Sequence, residues 1–88
     1  MTTISNSPDV TAEQAAGQLA RQITVEREAR GWTQATLAGR AGVSKAAVSR
    51  IERGEMSPTA VTLLRLAGAF DLTLAGLLLR AEGGVGGR

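Results

Sequence analysis

Apolar positions along the chain recur at helical spacing, and polar or glycine-rich segments separate them. After Pro58, the residues Leu63, Leu66, Ala67 and Phe70 lie at i, i+3, i+4 and i+7, which is the spacing of one buried helical face. An earlier stripe of the same period contains Ala16 or Ala20, Leu19 and Ile23, and a later one contains Leu74, Leu77 and Leu78. The alternation typical of a strand is absent from the sequence. The pattern therefore predicts an all-α fold.

Capping residues and glycines divide this pattern into five helices. Thr11 followed by Gln14 is a capping box, and it predicts the start of the first helix, which Gly31 ends. Thr33 caps a second helix from about Gln34 to Ala41, Ser44 caps a third from Lys45 to about Arg53, and Thr73 caps a short fifth. Residues 1–9 are predicted to be a flexible arm, residues 10–81 the folded domain, and residues 82–88 a glycine-rich tail or linker.

The segment from Gln34 to Arg53 meets several position-specific requirements of a helix-turn-helix. Ala38 is small where two helices must approach closely, and Gly42 lies where the backbone must turn. Val48 and Ile51 follow at the spacing that packs a second helix onto the first. A helix-turn-helix presents its second helix to the DNA major groove, so the segment predicts a DNA-binding domain.

The third helix is predicted to have two distinct faces. At 100° per residue, an arc of about 140° contains Lys45, Ala46, Ser49, Arg50 and Arg53. The opposite arc contains Ala47, Val48, Ile51 and Glu52. Small side chains bring the backbone close to base edges, and an Arg can bind guanine through two hydrogen bonds. The predicted base contacts are Lys45, Ala46, Ser49 and Arg50, and the alternative is an ordinary solvated helix face.

Phosphate contacts are expected around this face. Thr33 and Gln34 begin the second helix, where free backbone N–H groups favour a phosphate. Gln34 is also expected to brace Lys45. Ser44 at the start of the third helix and Arg53 at its end complete the predicted phosphate set. Such contacts position a protein on DNA, whereas base contacts select the sequence.

Composition and charge support this interpretation and exclude several other functions. The net charge is only +2, but Arg40, Lys45, Arg50 and Arg53 cluster in fourteen residues with Glu52 as the one acidic residue among them. The chain has neither Cys nor His, which excludes thiol or histidine catalysis, disulfides and Cys/His zinc sites. We expect no cofactor, no metal and no enzymatic activity. A signal peptide and an apolar segment of about 20 residues are also absent from the sequence, so we expect a cytoplasmic, nucleoid-associated protein without a membrane partner.

The span from about Ile23 to Leu78 resembles the Cro/repressor-type, or xenobiotic-response-element, family of helix-turn-helix regulators. The matching residues are Ile23, Arg27, Gly31-Trp32-Thr33-Gln34, Leu37-Ala38, Gly42-Val43-Ser44, Val48-Ser49, Ile51-Glu52-Arg53-Gly54, Pro58, Leu63 and Leu66-Ala67. The resemblance implies a compact five-helix, lambda-repressor-like domain. It also implies a structural ion pair between Arg27 and Glu52. The family's DNA-contacting positions are matched here by Gln34, Lys45, Ala46, Ser49, Arg50 and Arg53. Many members have Gln where this chain has Lys45 and Arg50, so the resemblance implies the mode of docking but not the target sequence.

The end of the domain is similar to that of members in which a linker leads to a C-terminal sensing domain, often a small β-barrel of the cupin type. The chain is then either a complete short regulator or the DNA-binding part of a longer one. Trp32 is expected to pack in the core or at its rim and not to serve as a stacking platform. Val61, Leu64 and Leu79 lie outside the predicted core stripes, either as scattered exposed residues or as a dimer patch.

Three functions follow from these expectations. The first is a transcriptional regulator, expected to be a repressor that binds a palindromic double-stranded operator as a homodimer, with two half-sites about 34 Å apart. The second is an antitoxin that regulates its own operon, although neither terminus has the amphipathic extension that binding a toxin requires. The third is a helix-turn-helix for protein contacts alone, which the basic face of the third helix disfavours.

Overall fold

A computed structural model describes residues 11–86 of the chain, and within them the fold is all-α, as predicted. The helices are α1 (Ala12–Ala29), α2 (Gln34–Ala41), α3 (Lys45–Glu52), α4 (Ala60–Ala69) and α5 (Leu74–Gly86). The predicted arm at residues 1–9 lies outside the described residues, as do the last two residues of the predicted tail.

Side-chain caps start α1, α2, α3 and α5 at the predicted positions, and Thr59, which was not predicted, caps α4. The Thr11 Oγ1 accepts from the Gln14 backbone N–H at 3.1 Å, and the Gln14 Oε1 accepts from the Thr11 N–H at 2.9 Å, which completes the capping box. Thr33 and Ser44 cap α2 and α3 in the same way. Each cap satisfies a backbone donor that has no partner within the helix, which is why these polar residues define the helix starts.

Gly42 makes the turn between α2 and α3. Its φ of 72° lies in the left-handed region, which residues with a Cβ adopt only with strain. The N–H of the next residue, Val43, donates to the Ala38 carbonyl at 3.0 Å and closes the end of α2. The turn therefore sets the angle at which α3 leaves α2.

A single apolar core joins the helices. Seven side chains are almost completely buried: Ile23, Leu37, Val48, Ile51, Leu66, Phe70 and Leu77. Trp32 is half-buried and stacks on Phe70, with ring centroids 6.0 Å apart, while the Arg40 guanidinium lies 4.4 Å from the centroid of the Trp32 ring. Trp32, predicted to pack in the core or at its rim, is a partly buried residue packed against the core.

The fifth helix differs from its prediction in two respects. It continues to Gly86, whereas the sequence predicts a glycine-rich tail from Glu82. Glycine in a helix costs about 1 kcal/mol relative to alanine but, unlike proline, keeps its N–H for the hydrogen-bond ladder, so composition alone placed the helix end too early. Leu78, predicted to point inward, is 38% exposed because Leu77 and Ala81 occupy the buried side of the helix.

In the described part of the chain, no single helix is long and apolar enough to cross a membrane. Only α4 and α5 taken together reach the required length and composition, and a bend of 86° separates them.

Candidate nucleic-acid interface

The outer face of α3 forms a continuous, basic and open surface. Five side chains line a shallow depression of about 310 Å³: Lys45, Ala46, Ser49, Arg50 and Arg53. On the opposite side of the helix, Val48 and Ile51 are each only 1% exposed. The predicted division of α3 into two faces is confirmed, and the core holds the helix so that its basic side faces outward. Contact of these residues with bases stays a prediction.

Arg53 lies at the end of this surface and is bound by neighbouring side chains. Its Nε and Nη2 donate to the two carboxylate oxygens of Glu55 at 2.9 and 3.0 Å, and its Nη1 donates to the Ser49 hydroxyl. Hydrogen bonds from Arg53, and the charges of Arg53 and Arg50, hold the pKa of Glu55 below its ordinary value. The carboxylate is therefore ionised at neutral pH. The sequence analysis missed Glu55, although it follows Arg53 by only two residues.

The N-termini of α2 and α3 are exposed, and a phosphate contact would use the backbone N–H groups of their first turns. Thr33 and Ser44 are exposed caps that accept from the backbone N–H of Thr36 and Ala47, both at 3.0 Å. A cap satisfies one of the free N–H groups of a first turn, and others remain available to an anion. Their contact with phosphate stays a prediction.

Gln34 has a different partner from the one predicted. Its Nε2 donates to the Glu52 Oε1 at 3.1 Å, so the expectation that it braces Lys45 was wrong. The Glu52 side chain is only 6% exposed, and a buried carboxylate needs several donors to offset its lost hydration. Lys45 is exposed to solvent and has no comparable requirement.

The ion pair implied by the family resemblance is present and largely buried. Arg27 Nε and Nη2 donate to the two Glu52 oxygens at 2.7 and 3.0 Å, and Arg27 Nη1 donates to the Trp32 carbonyl at 2.8 Å. Burial acts to raise the pKa of Glu52, but hydrogen bonds from Arg27 and Gln34 outweigh it and the net shift is downward. The pair fixes α1 to the end of α3, and so supports the orientation of the basic face.

A second buried carboxylate, which the sequence analysis did not single out, joins α1 to α5. Glu26 is 4% exposed and accepts from Gln22 at 2.7 Å, Arg30 at 2.8 Å and Arg80 at 3.1 Å. Arg30 also donates to the Phe70 carbonyl at 2.8 Å. Burial acts to raise the pKa of Glu26, but these bonds lower it overall. The i, i+4 spacing of Gln22, Glu26 and Arg30 was the available signal, whereas Arg80 is distant in sequence.

Known proteins share both the sequence pattern and the fold of this chain. The helix-turn-helix family HTH_3 matches residues 25–77. The HTH-type transcriptional regulator SutR of Escherichia coli (strain K12) is 46% identical over 46 residues, which are 52% of this chain and 26% of that protein. The chain therefore spans about a quarter of the length of this curated relative.

Solved structures give the same result. The restriction-modification controller protein C.AhdI from Aeromonas hydrophila has a TM-score of 0.67 at 31% identity, over 70% of this chain and 94% of that chain. An HTH_3 family transcriptional regulator from Vibrio cholerae has a TM-score of 0.71 at 36% identity, over 76% of this chain and 38% of that chain. The clp gene regulator ClgR from Corynebacterium glutamicum has a TM-score of 0.73 at 25% identity, over 82% of this chain and 77% of that chain. Since the family match covers more than half of the sequence, the chain belongs to the HTH_3, or Cro/C1-type, family of DNA-binding helix-turn-helix transcriptional regulators.

Proposed function

We propose that the protein is a sequence-specific transcriptional repressor that inserts α3 into the major groove of a palindromic operator. The observation that supports this most directly is the outer face of α3, where Lys45 and Arg50 are exposed beside small residues. Small residues allow close approach of the backbone, and Arg50 is long enough to bind a guanine with both ends of its guanidinium. Lys45, Ala46, Ser49 and Arg50 are the proposed base contacts.

The proposed phosphate contacts surround this face. Thr33, Gln34 and Ser44 lie at the N-termini of α2 and α3, where backbone N–H groups and the helix dipole favour an anion. Arg53 lies at the other end of α3. Contacts at both ends of the helix would hold it at one depth in the groove, because phosphates flank the groove on both sides. The protein would then act in the cytoplasm, on nucleoid DNA.

We further propose that two copies bind together through α4 and α5. Val61, Leu64 and Leu79 are 58%, 55% and 65% exposed, and Leu78 extends the same apolar character along α5. Exposed apolar side chains on adjacent helices are typical of a contact surface, although single ones occur on many monomers. A dimer would bind two half-sites about 34 Å apart, which matches the two-fold symmetry of a palindrome.

Selection from random duplex DNA tests this function, followed by affinity measurements on the selected duplex and on a scrambled one. We expect a palindrome with a large specificity ratio. Arg50→Ala should cost on the order of 1–3 kcal/mol and relax the preference at one base pair, whereas Arg53→Ala should weaken both duplexes alike and reduce the salt slope. Equal losses on both duplexes for Arg50→Ala would contradict its role as a base contact. An absence of any enriched sequence would favour a role in protein contacts.

Sedimentation of the protein, free and on the selected palindrome, tests the dimer. Leu64→Lys should shift the equilibrium toward monomer, because it places a charge on the proposed contact surface. Val25→Lys is the matched control, since Val25 is 52% exposed but lies on α1. A wild-type protein that stays monomeric at high concentration, both free and on the symmetric site, would refute the dimer.

A further inference from the structure

We propose that Glu55 attenuates DNA binding, because it occupies the Arg53 guanidinium in place of a DNA phosphate and so weakens binding to DNA of any sequence. The inference rests on the proposed function, because it requires that the α3 face docks on DNA. Neither the family resemblance nor the spacing of residues around Glu55 assigns it a role.

The geometry of the pair is the one that a phosphate would adopt. Two nitrogens of Arg53, Nε and Nη2, bind the two oxygens of one carboxylate at 2.9 and 3.0 Å. A guanidinium binds phosphate through the same parallel pair of N–H groups. Glu55 and a phosphate therefore compete for the same donors, and both cannot hold them at once.

The local backbone places the two side chains together. Arg53 is the C-cap of α3, and Gly54 follows with a φ of 75°. The chain turns there, and the Glu55 N–H donates back to the Arg50 carbonyl at 2.8 Å. The Glu55 carboxylate thus lies beside the basic face, where the charge of Arg50 also stabilises its ionised form.

The ion pair between Arg53 and Glu55 is easily broken, as it must be if a phosphate is to replace the Glu55 carboxylate. Both side chains are more than half exposed, at 54% and 56%, and solvent-exposed ion pairs contribute little net free energy. Arg53 can therefore leave Glu55 when a phosphate is held nearby. Its departure also releases the Ser49 hydroxyl, which accepts from the same guanidinium in the free protein.

The competition acts on every DNA sequence. Non-specific binding comes almost entirely from phosphate contacts, and a phosphate near Arg53 is available on the operator as well. Arg53 must leave Glu55 to bind that phosphate in either complex, so Glu55 lowers the affinity for both duplexes and does not select the sequence.

A double-mutant cycle separates this role from simple repulsion between Glu55 and DNA. The probe is a fluorescent duplex of random sequence, titrated at several salt concentrations. Glu55→Gln should bind this duplex about two- to fivefold more tightly than the wild type, with a slope of log K against log salt that is steeper by up to about 0.9. Asp71→Asn is the charge-matched control, since Asn tolerates the left-handed backbone at that position, and it should leave the slope unchanged.

The gain must act through Arg53. In an Arg53→Ala background, which already lacks the guanidinium, Glu55→Gln should produce no further gain in affinity. A gain of the same size in both backgrounds would overturn the proposal, because it would mean direct repulsion from the DNA. Equal affinities of Glu55→Gln and wild type, with Arg53→Ala still weaker than both, would also overturn it while leaving the proposed function intact. Failure of the proposed function has a different signature: Arg50→Ala and Arg53→Ala would then both bind DNA as the wild type does.

Discussion

Replacement of Arg27 by Met should be among the most damaging single changes in the domain. It removes a guanidinium that donates to both oxygens of Glu52 and to the Trp32 carbonyl. Glu52 then keeps the bond from Gln34 on α2 and the Thr24 hydroxyl on α1. Met retains an unbranched apolar stem of similar length, so the change tests the polar contacts more than the packing.

The magnitude follows from the burial of the pair. The side chains are 13% and 6% exposed, and breaking a buried pair on one side costs roughly 3–5 kcal/mol. We expect about 3 kcal/mol for Arg27→Met. Glu52→Gln should cost less, about 2 kcal/mol, because Arg27 keeps the Trp32 carbonyl and an amide oxygen can still accept. For a chain of this size the whole free energy of unfolding is about 4–13 kcal/mol, so the loss would lower Tm by about 12–24 °C.

Urea unfolding followed by far-UV circular dichroism measures both variants and the double variant. A global probe is preferable to Trp32 fluorescence, because Trp32 contacts the pair directly. The double variant should be destabilised by at least 1 kcal/mol less than the two single losses together, since neither partner is then left charged and alone. Arg53→Met makes the same substitution at an exposed pair, and it should leave the urea midpoint close to that of the wild type.

Two results would refute this reasoning. A loss below about 1 kcal/mol in the free energy of unfolding for Arg27→Met would mean that the Arg27–Glu52 pair contributes no more than an exposed ion pair does. Additive losses in the double variant would mean that Arg27 and Glu52 stabilise the domain independently, so that the bonds between them contribute nothing measurable.

Two further predictions concern the pH dependence of stability and the turn between α2 and α3. The pKa values of Glu26 and Glu52 are lowered in the folded state from an ordinary 4.5. Their contribution is therefore present above that pH and lost as pH falls through the folded-state values. Urea midpoints should be flat near neutrality and fall below about pH 4.5, and no fall would contradict these shifts. Gly42→Ala should destabilise by about 1–2 kcal/mol, because φ is 72° and the new Cβ would lie 3.2 Å from an Arg65 nitrogen. Gly39→Ala, in open space within α2, should stabilise by up to about 1 kcal/mol; equal effects of the two would refute the argument from φ.

Features that depend on residues one or two helical turns apart could be predicted from the sequence. Capping by Thr11, Thr33 and Ser44 is such a feature, because the side chain and the N–H it satisfies are three residues apart. The division of α3 into two faces depends only on the helical period. Gly42 could be assigned to the turn because few other residues adopt a positive φ.

The errors of the sequence analysis have two different origins. The end of α5 was predicted too early because the prediction used glycine content alone. Glycine content gives the cost of each glycine in a helix, but it does not show whether a helix that has already formed continues through those residues. Leu78 was assigned to the core because it follows Leu74 at i+4 in a stripe of helical period. Only the direction from which the other helices approach α5 determines that Leu77 is covered and Leu78 is partly exposed.

The sequence alone determined the helices, their starts and the identity of the surface that faces outward on α3. These properties are local, since hydrogen bonds to caps and the period of apolar residues involve neighbours in the chain. The tertiary structure decided the partners of the charged side chains. Glu26 meets Arg80 across 54 positions and Glu52 meets Gln34 across 18, because docked helices bring together atoms whose separation no local pattern encodes. Even the pairing of Arg53 with Glu55, two residues away, depends on the turn at Gly54, whose direction is a property of the folded backbone.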